Sequence, residues 1–150
     1  MQRRSFLLSA AAACLATPSL AGYEITRSDA EWRAMLSNLE YKVMRREGTE
    51  RAFTSPLNDE KRTGSFVCRG CDLPLYASKD KFDSGTGWPS FTRAMPNAIA
   101  TKVDRKLFRA RTECHCRRCG SHLGHIFDDG PAPTGKRHCI NGVSLKFVAA

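Results

Sequence analysis

Cys116-Arg117-Arg118-Cys119-Gly120-Ser121-His122-Leu123-Gly124-His125 decides how the chain is read, because it couples a Cys-x-x-Cys turn to two histidines. A second turn, Cys68-Arg69-Gly70-Cys71, repeats the first half of the pattern. One tight turn can aim two thiolates, spaced two residues apart, at a tetrahedral metal about 2.3 Å away. A turn-permissive residue, Asp72 or Gly120, closely follows each pair. Four thiolates from Cys68, Cys71, Cys116 and Cys119 would close a structural Zn2+ site with no position left for water. Residues 72–115 intervene, more than the roughly 15 to 20 of a simple zinc ribbon, so the metal would pin two distant chain segments. Two disulfides or a redox Cys-x-x-Cys are the competing readings, and the paired two-residue spacers favour zinc.

Outward from the turns, short extended runs alternate with Gly, Pro, Asn and Asp: Ser65–Val67, Leu73–Ala77, Ala98–Val103, Leu107–Cys114, His122–Phe127 and Arg137–Phe147. Gly130 to Gly135 has the composition of an ordered loop between two strands. Ahead of them, Ser28-Asp29-Ala30-Glu31 is a capping box, and Trp32, Met35, Leu36 and Leu39 follow at helical spacing. The pattern predicts one amphipathic helix of about three turns opening the domain, which is mainly β with one or two helices in front.

The 150 residues, 41% of them hydrophobic, suffice for one core, and no apolar run reaches the roughly 18 residues of a spanning helix. Arg3-Arg4-Ser5-Phe6-Leu7-Leu8, an apolar stretch to Ala16 and the small residues around Ala21 read as an export signal over residues 1–21. The paired arginines resemble the twin-arginine type, which carries folded protein and suits a domain that loads its metal before export. An ordinary secretory leader, or a lipoprotein signal ending at Cys14, is the plainer alternative; Ala11-Ala12-Ala13 lacks the leucine expected before a lipidated cysteine. The mature domain, residues 22–150, would then be exported, periplasmic and not inserted in a membrane. It keeps the chain's +9 charge apart from Arg3 and Arg4. Dispersed pairs such as Arg45-Arg46, Lys61-Arg62 and Arg117-Arg118 are the usual solvated surface, and no basic helix or aromatic-interleaved strand pair points to nucleic acid.

Cys139 is set apart from the paired cysteines. Lys136, Arg137 and His138 precede it, a positive local field expected to favour the nucleophilic thiolate. If 137–140 is a strand, Arg137 and Cys139 share a face, with His138 on the other; Asn141 joins them if the strand continues. Asn141-Gly142 is also a type I′ hairpin dipeptide, which would put Asn141 in a turn. A buried small hydrophobe or a disulfide partner remains open for Cys139 on local sequence alone. His122 and His125 would face opposite sides of an unbroken strand, but Gly124 permits a bend that could bring both imidazoles to one site. Alone, each histidine is as readily a satisfied polar residue or a metal ligand. Gly87-Trp88-Pro89 would hold an indole rigidly at a rim, or be no more than a tight turn with core aromatics.

Arg46-Glu47-Gly48-Thr49-Glu50-Arg51, the Cys68-x-x-Cys71 turn, residues 81–91 (KFDSGTGWPSF), Arg111-Thr112-Glu113, residues 121–131 (SHLGHIFDDGP) and Arg137-His138-Cys139-Ile140-Asn141 occur in this order. Together they resemble the methionine-R-sulfoxide reductases, MsrB, over about residues 28–148. The resemblance implies two small antiparallel sheets splayed like a tent and held by the four-cysteine zinc, with the reactive cysteine on a central strand. It implies Cys139 as the nucleophile that becomes a sulfenic acid and Trp88 as the receiver of the substrate methyl group. His122, His125, Arg137 and Asn141 would form the polar shell, with one histidine the proton donor. The substrate would be methionine-R-sulfoxide in peptides or proteins, and the reductant a thioredoxin-like or other thiol.

Two departures from that family bear on the reductant. Thr86 stands where many members carry a resolving cysteine. Cys114 stands where an aliphatic residue is common; it is a candidate resolving thiol, but Phe108, Ala110, Thr112 and Cys114 would share one strand face, and a buried core cysteine is the favoured reading. An exported zinc-ribbon-like binding module with an inert Cys139 is the alternative from another class.

Overall fold

Ser28 and Ser37 each open a helix in the computed structural model, which describes residues 22–150; the expected export signal lies outside them. In α1 (Asp29–Met35) the Ser28 hydroxyl accepts the Glu31 amide and the Glu31 carboxylate accepts the Ser28 amide. Ser37 and Glu40 make the same reciprocal pair ahead of α2 (Asn38–Arg46). The single helix of the sequence pattern is therefore two. The second capping box outcompetes the apolar period, and Leu36 turns extended at φ −107° and ψ 143°. Met35 and Leu39, expected on the buried stripe, are left 46% and 47% exposed, while Trp32, Leu36, Tyr41, Val43 and Met44 are buried.

Nine strands follow: β1 (Gly64–Cys68), β2 (Pro74–Ala77), β3 (Lys81–Phe82), β4 (Ser90–Phe91), β5 (Ile99–Asp104), β6 (Arg111–Cys116), β7 (His122–Phe127), β8 (Arg137–Ile140) and β9 (Leu145–Ala149). They form two antiparallel sheets, one ordered β2-β1-β9 and the other β3-β4-β8-β7-β6-β5. Phe66 and Tyr76 from the first meet Phe91 from the second, at ring centroid distances of 5.0 and 4.3 Å, and this aromatic contact lies in the core between the sheets.

Two extended runs are shorter than their sequence pattern. Residues 137–147 are broken by a 3-10 turn at Gly142–Ser144, which carries the chain from one sheet to the other. Asn141 precedes this turn with φ −65° and ψ 122°, so the type I′ hairpin, which needs positive φ at both positions, does not form. The strand expected from Leu107 begins only at Arg111; Leu107 and Phe108 project from the β5–β6 loop into solvent.

The cysteine turns lie at the ends of β1 and β6, one from each sheet, and bring two distant segments together. Asp72 (φ 59°) and Gly120 (φ 70°) take the left-handed conformation that closes each turn. The four Sγ atoms lie within 4.8 Å of one another.

Register fixes which residues share a face. Ser90, Cys139, His125, Glu113 and Lys102 are cross-strand neighbours in one row, and Ile140, Gly124, Cys114 and Thr101 form the next. Adjacent rows point to opposite sides of a sheet. Gly124 is required here by close approach: a Cβ on it would lie 1.9 Å from the Cys139 carbonyl oxygen. Gly124→Ala should therefore push β8 off β7 and destabilise the domain by about 2 kcal/mol or more, read from urea unfolding; wild-type stability in that variant would contradict the packing described.

His138 points away from Cys139 and is buried, with Nδ1 3.2 Å from the Tyr76 hydroxyl. Burial, aided by Lys136, lowers its pKa from 6.5 to about 4, so the unfolded chain takes up a proton between those values that the folded one does not. Stability should fall as pH drops from 6.5 to about 4, by roughly 3 kcal/mol from this group. His138→Phe should flatten that limb in melts run across the window; an unchanged slope would show that His138 is not its source.

Candidate active site

Cys139 sits on β8, flanked by β4 and β7, and opens into a cavity of about 170 Å³. The walls include Trp88, His125, Asn141, Thr49, Arg111 and Phe127. Trp88 is fixed from outside its own turn: its Nε1–H donates to the Glu50 carbonyl at 3.1 Å, and the Phe53 amide donates to the Gly87 carbonyl at 2.8 Å. Gly87, at φ 91°, lets the turn come this close, since a Cβ there would meet the Phe53 amide nitrogen at 2.8 Å.

The basic run before Cys139 does not act as its sequence suggests. Burial pushes the Cys139 thiol up, and Arg137 and the Thr86 hydroxyl only partly oppose it. Lys136 pairs with Asp128, and the Arg137 guanidinium makes two 2.9 Å bonds to Asp129 while lying 4.5 Å from the centre of the Phe127 ring. His138 lies on the opposite face, its pKa held down at about 4. The resting residue is a thiol, and the expected positive field is corrected to one guanidinium already shared with a carboxylate.

His122 and His125 do reach one face, by a route different from the glycine bend. A register shift opposite Cys114/His115 pairs His115 with His122 although Cys114 pairs with Gly124, so one extra residue resets the alternation of β7. The two rings end edge to face, 5.5 Å apart. His125 borders the cavity, and its Nε2 lies 2.8 Å from Asp104. Burial lowers the His125 pKa and Asp104 works against that shift. The Asp104 carboxyl is held well below the usual carboxylate range by the Lys106 amide, His125 and Arg111. His122 is deeper, with Nδ1 2.7 Å from Glu113, whose other oxygen meets His115 at 2.9 Å. Burial pushes Glu113 up, but the hydrogen bonds with His115 and His122 outweigh it and bring its pKa to about 2.

Asn141 borders the cavity, but its amide is engaged with backbone. Nδ2 donates to the Leu123 carbonyl at 2.9 Å, and Oδ1 accepts the Glu50 amide at 2.9 Å. Cys114 is fully buried beneath the opposite face of the sheet, where burial keeps its thiol protonated. It cannot approach Cys139 without disrupting β7. Its burial does not come from the face drawn from sequence, because Phe108 is exposed and precedes the strand.

Asp104, Glu113, Glu50, Arg111, Thr49 and Phe127 were not singled out in the sequence. Five of them lie inside the quoted motifs, but Asp104 sits in the middle of a run, Lys102-Val103-Asp104-Arg105-Lys106, that reads as ordinary surface, and only the β5–β6 pairing takes it to His125.

The four-cysteine cluster fits a metal ion. Tetrahedral arms of about 2.3 Å require sulfurs about 3.8 Å apart. Cys68 and Cys119 are 3.7 Å apart and Cys71 and Cys116 3.5 Å, far beyond a disulfide bond, and all four thiols are free. Four sulfur donors suit a soft or borderline cation.

Comparison with known proteins agrees with this geometry. The SelR domain family model matches residues 36–149. A peptide methionine sulfoxide reductase MsrB from Thiobacillus denitrificans is 51% identical over 122 residues, 81% of this chain and 92% of the relative. The MsrB of Methanosarcina barkeri is 48% identical over 124 residues, 82% and 87% of the two chains. The chloroplastic reductase B1 of Oryza sativa subsp. japonica is 49% identical over 126 residues, 83% of this chain and 59% of the longer plant protein. With both sheets, the cysteine cluster and nearly the whole described chain covered by these matches, the protein belongs to the SelR family, the MsrB peptide methionine sulfoxide reductases, oxidoreductases acting on sulfur.

Proposed function

We propose that this protein reduces methionine-R-sulfoxide, chiefly in peptides and proteins, with Cys139 as nucleophile. The observation that carries the reading is a single thiol opening into a small cavity beside an indole and a carboxylate-backed imidazole. The Trp88 ring offers an apolar face to the substrate methyl group. Because Cys139 rests as a thiol and burial favours neutral His125, the proton passes first from Cys139 to the His125 nitrogen not bonded to Asp104. Asp104 stabilises the imidazolium so formed. The thiolate attacks the sulfoxide sulfur while His125 returns the proton to the sulfoxide oxygen. Transfer of that oxygen to Cys139 leaves a sulfenic acid and releases the thioether, so the thiol loses the two electrons that the sulfoxide gains. His122, tied to Glu113, supports His125 from behind, and Arg137 lies over the Phe127 wall.

An external thiol completes the cycle. It displaces water from the sulfenic acid to give a mixed disulfide, and a second thiol, as in a thioredoxin-like partner, releases Cys139. Thr86 occupies the nearby turn and Cys114 faces the core, which supports this route over an internal disulfide. In a single turnover with separated R and S epimers of N-acetylmethionine sulfoxide amide, the R epimer alone should be reduced, with loss of one free thiol and no turnover by Cys139→Ser. Loss of two thiols would assign resolution to Cys114. Failure of reduced, metal-loaded protein to act on either epimer would overturn the reading and favour the binding module.

Cys68, Cys71, Cys116 and Cys119 would hold a zinc ion, which would supply a structural crosslink between the two sheets and no chemistry at Cys139. The twin-arginine-like leader supports export of the folded, loaded protein to the periplasm. Protein recovered from that compartment should begin near Gly22 and hold one zinc per chain, and chelation should abolish its cooperative melt. Retention in the cytoplasm would count against export; chelator-treated protein with an unchanged melting temperature would count against the structural zinc.

A further inference from the structure

The catalytic cavity has room for little more than one side chain, yet its wall continues into a larger, open groove. Arg111 and Phe127 line both, and the groove, about 580 Å³, is completed by residues that include Leu107, Phe108 and Ile126. The β5–β6 loop above it carries Phe108, fully exposed and the most exposed aromatic ring among the described residues, with Leu107 at 59%; Val103, near the end of β5, is 63% exposed. Large apolar groups that stand together and unpartnered mark interaction surfaces far better than scattered ones do.

The same loop is basic. Lys102 and Lys106 are paired with Glu47 and Arg111 with Asp104, whereas Arg105 and Arg109 have no acidic partner among the described residues. The loop is also tied to the chemistry. One Asp104 oxygen accepts the Lys106 amide at 2.9 Å, while the other is 2.8 Å from His125 and 2.7 Å from Arg111.

Resting on the reading above, we propose that residues 103–110 and the groove beneath them form a docking surface for the polypeptide that flanks the oxidised methionine. The fitting occupant is an extended, unfolded segment with a large apolar residue and a carboxylate close to the sulfoxide. Its apolar side chain covers Leu107 and Phe108, and its carboxylate meets Arg105 and Arg109. Binding energy gathered there, remote from the sulfur, holds the sulfoxide against Cys139 and raises kcat/KM for protein over free amino acid. The surface would thus select segments that are buried and apolar in an intact fold and exposed only when it is damaged.

The test compares N-acetyl-methionine-R-sulfoxide amide with short peptides bearing Leu or Phe, and Asp or Lys, on either side of the methionine-R-sulfoxide. Wild type should prefer the apolar acidic peptides over the amide by at least about tenfold in kcat/KM. Leu107→Ser with Phe108→Ser should remove that preference and leave the amide within about twofold, and Arg105→Glu with Arg109→Glu should transfer it to the Lys peptides. Variants that slow the amide and the peptides alike, or leave both unchanged, would overturn the proposal. So would unchanged peptide kinetics together with loss of self-association in sedimentation, which would assign the lip to a second copy. Loss of binding to phosphatidylglycerol vesicles with unchanged peptide kinetics would overturn it in favour of a bilayer. Failure of wild type on every sulfoxide would instead remove the reductase reading on which this rests.

Discussion

The buried carboxyl-bearing residue Glu50 is the point at which the parts of the candidate site are fastened to one another. Its carboxylate accepts the amides of Gly142 and Val143, its amide donates to Asn141, and its carbonyl receives the Trp88 indole. One residue of an otherwise irregular loop thereby fixes the end of β8, the crossing between the sheets and the aromatic wall of the cavity. The arrangement has a cost that is visible in its own titration. Burial pushes the Glu50 carboxyl up, and the two backbone donors only partly restore the charged form. An acid tolerated there reflects two amides of the 3-10 turn that would otherwise be orphaned.

How far the sequence could be read depends on whether each feature is local. The cysteine turns were legible because the ligand spacing and the left-handed residue after each pair are both written within five positions. The strands carrying Cys139 and the histidines were legible from β-rich runs between turn residues. The first helix was misjudged because two local signals overlapped, an apolar period through Leu39 and a second capping box at Ser37; the box prevails, and Trp32 and Met44 are both buried. The electrostatics were not legible. Lys136, Arg137 and His138 are neighbours of Cys139 in sequence, but Asp128, Asp129 and the core face of the sheet claim them first. Asp104 lay beyond reach for the converse reason: nothing near it in the chain announces a histidine partner.

The histidine pair illustrates how a small backbone irregularity carries chemistry. A regular strand would have set His122 and His125 on opposite sides of the sheet. The extra residue in β7 brings them to one side, each with its own carboxylate, while Gly124 lets β8 close against the strand. The site is built at the place where the sheet departs from its own periodicity, as bulges beside active sites commonly are.

The opposite orientations of Cys139 and Cys114 have a consequence for a protein that handles oxidants. A β-sheet one residue thick separates the thiol that opens into the cavity from the core thiol, and the four clustered thiols lie at the ends of β1 and β6 and in the turns that follow them. The sheet acts as an insulating partition. On the proposed mechanism, oxidising equivalents that arrive at Cys139 meet a Cys114 turned to the other side of the sheet, so the chain would be oxidised and reduced at one atom while the sulfurs that keep it folded stay out of the exchange.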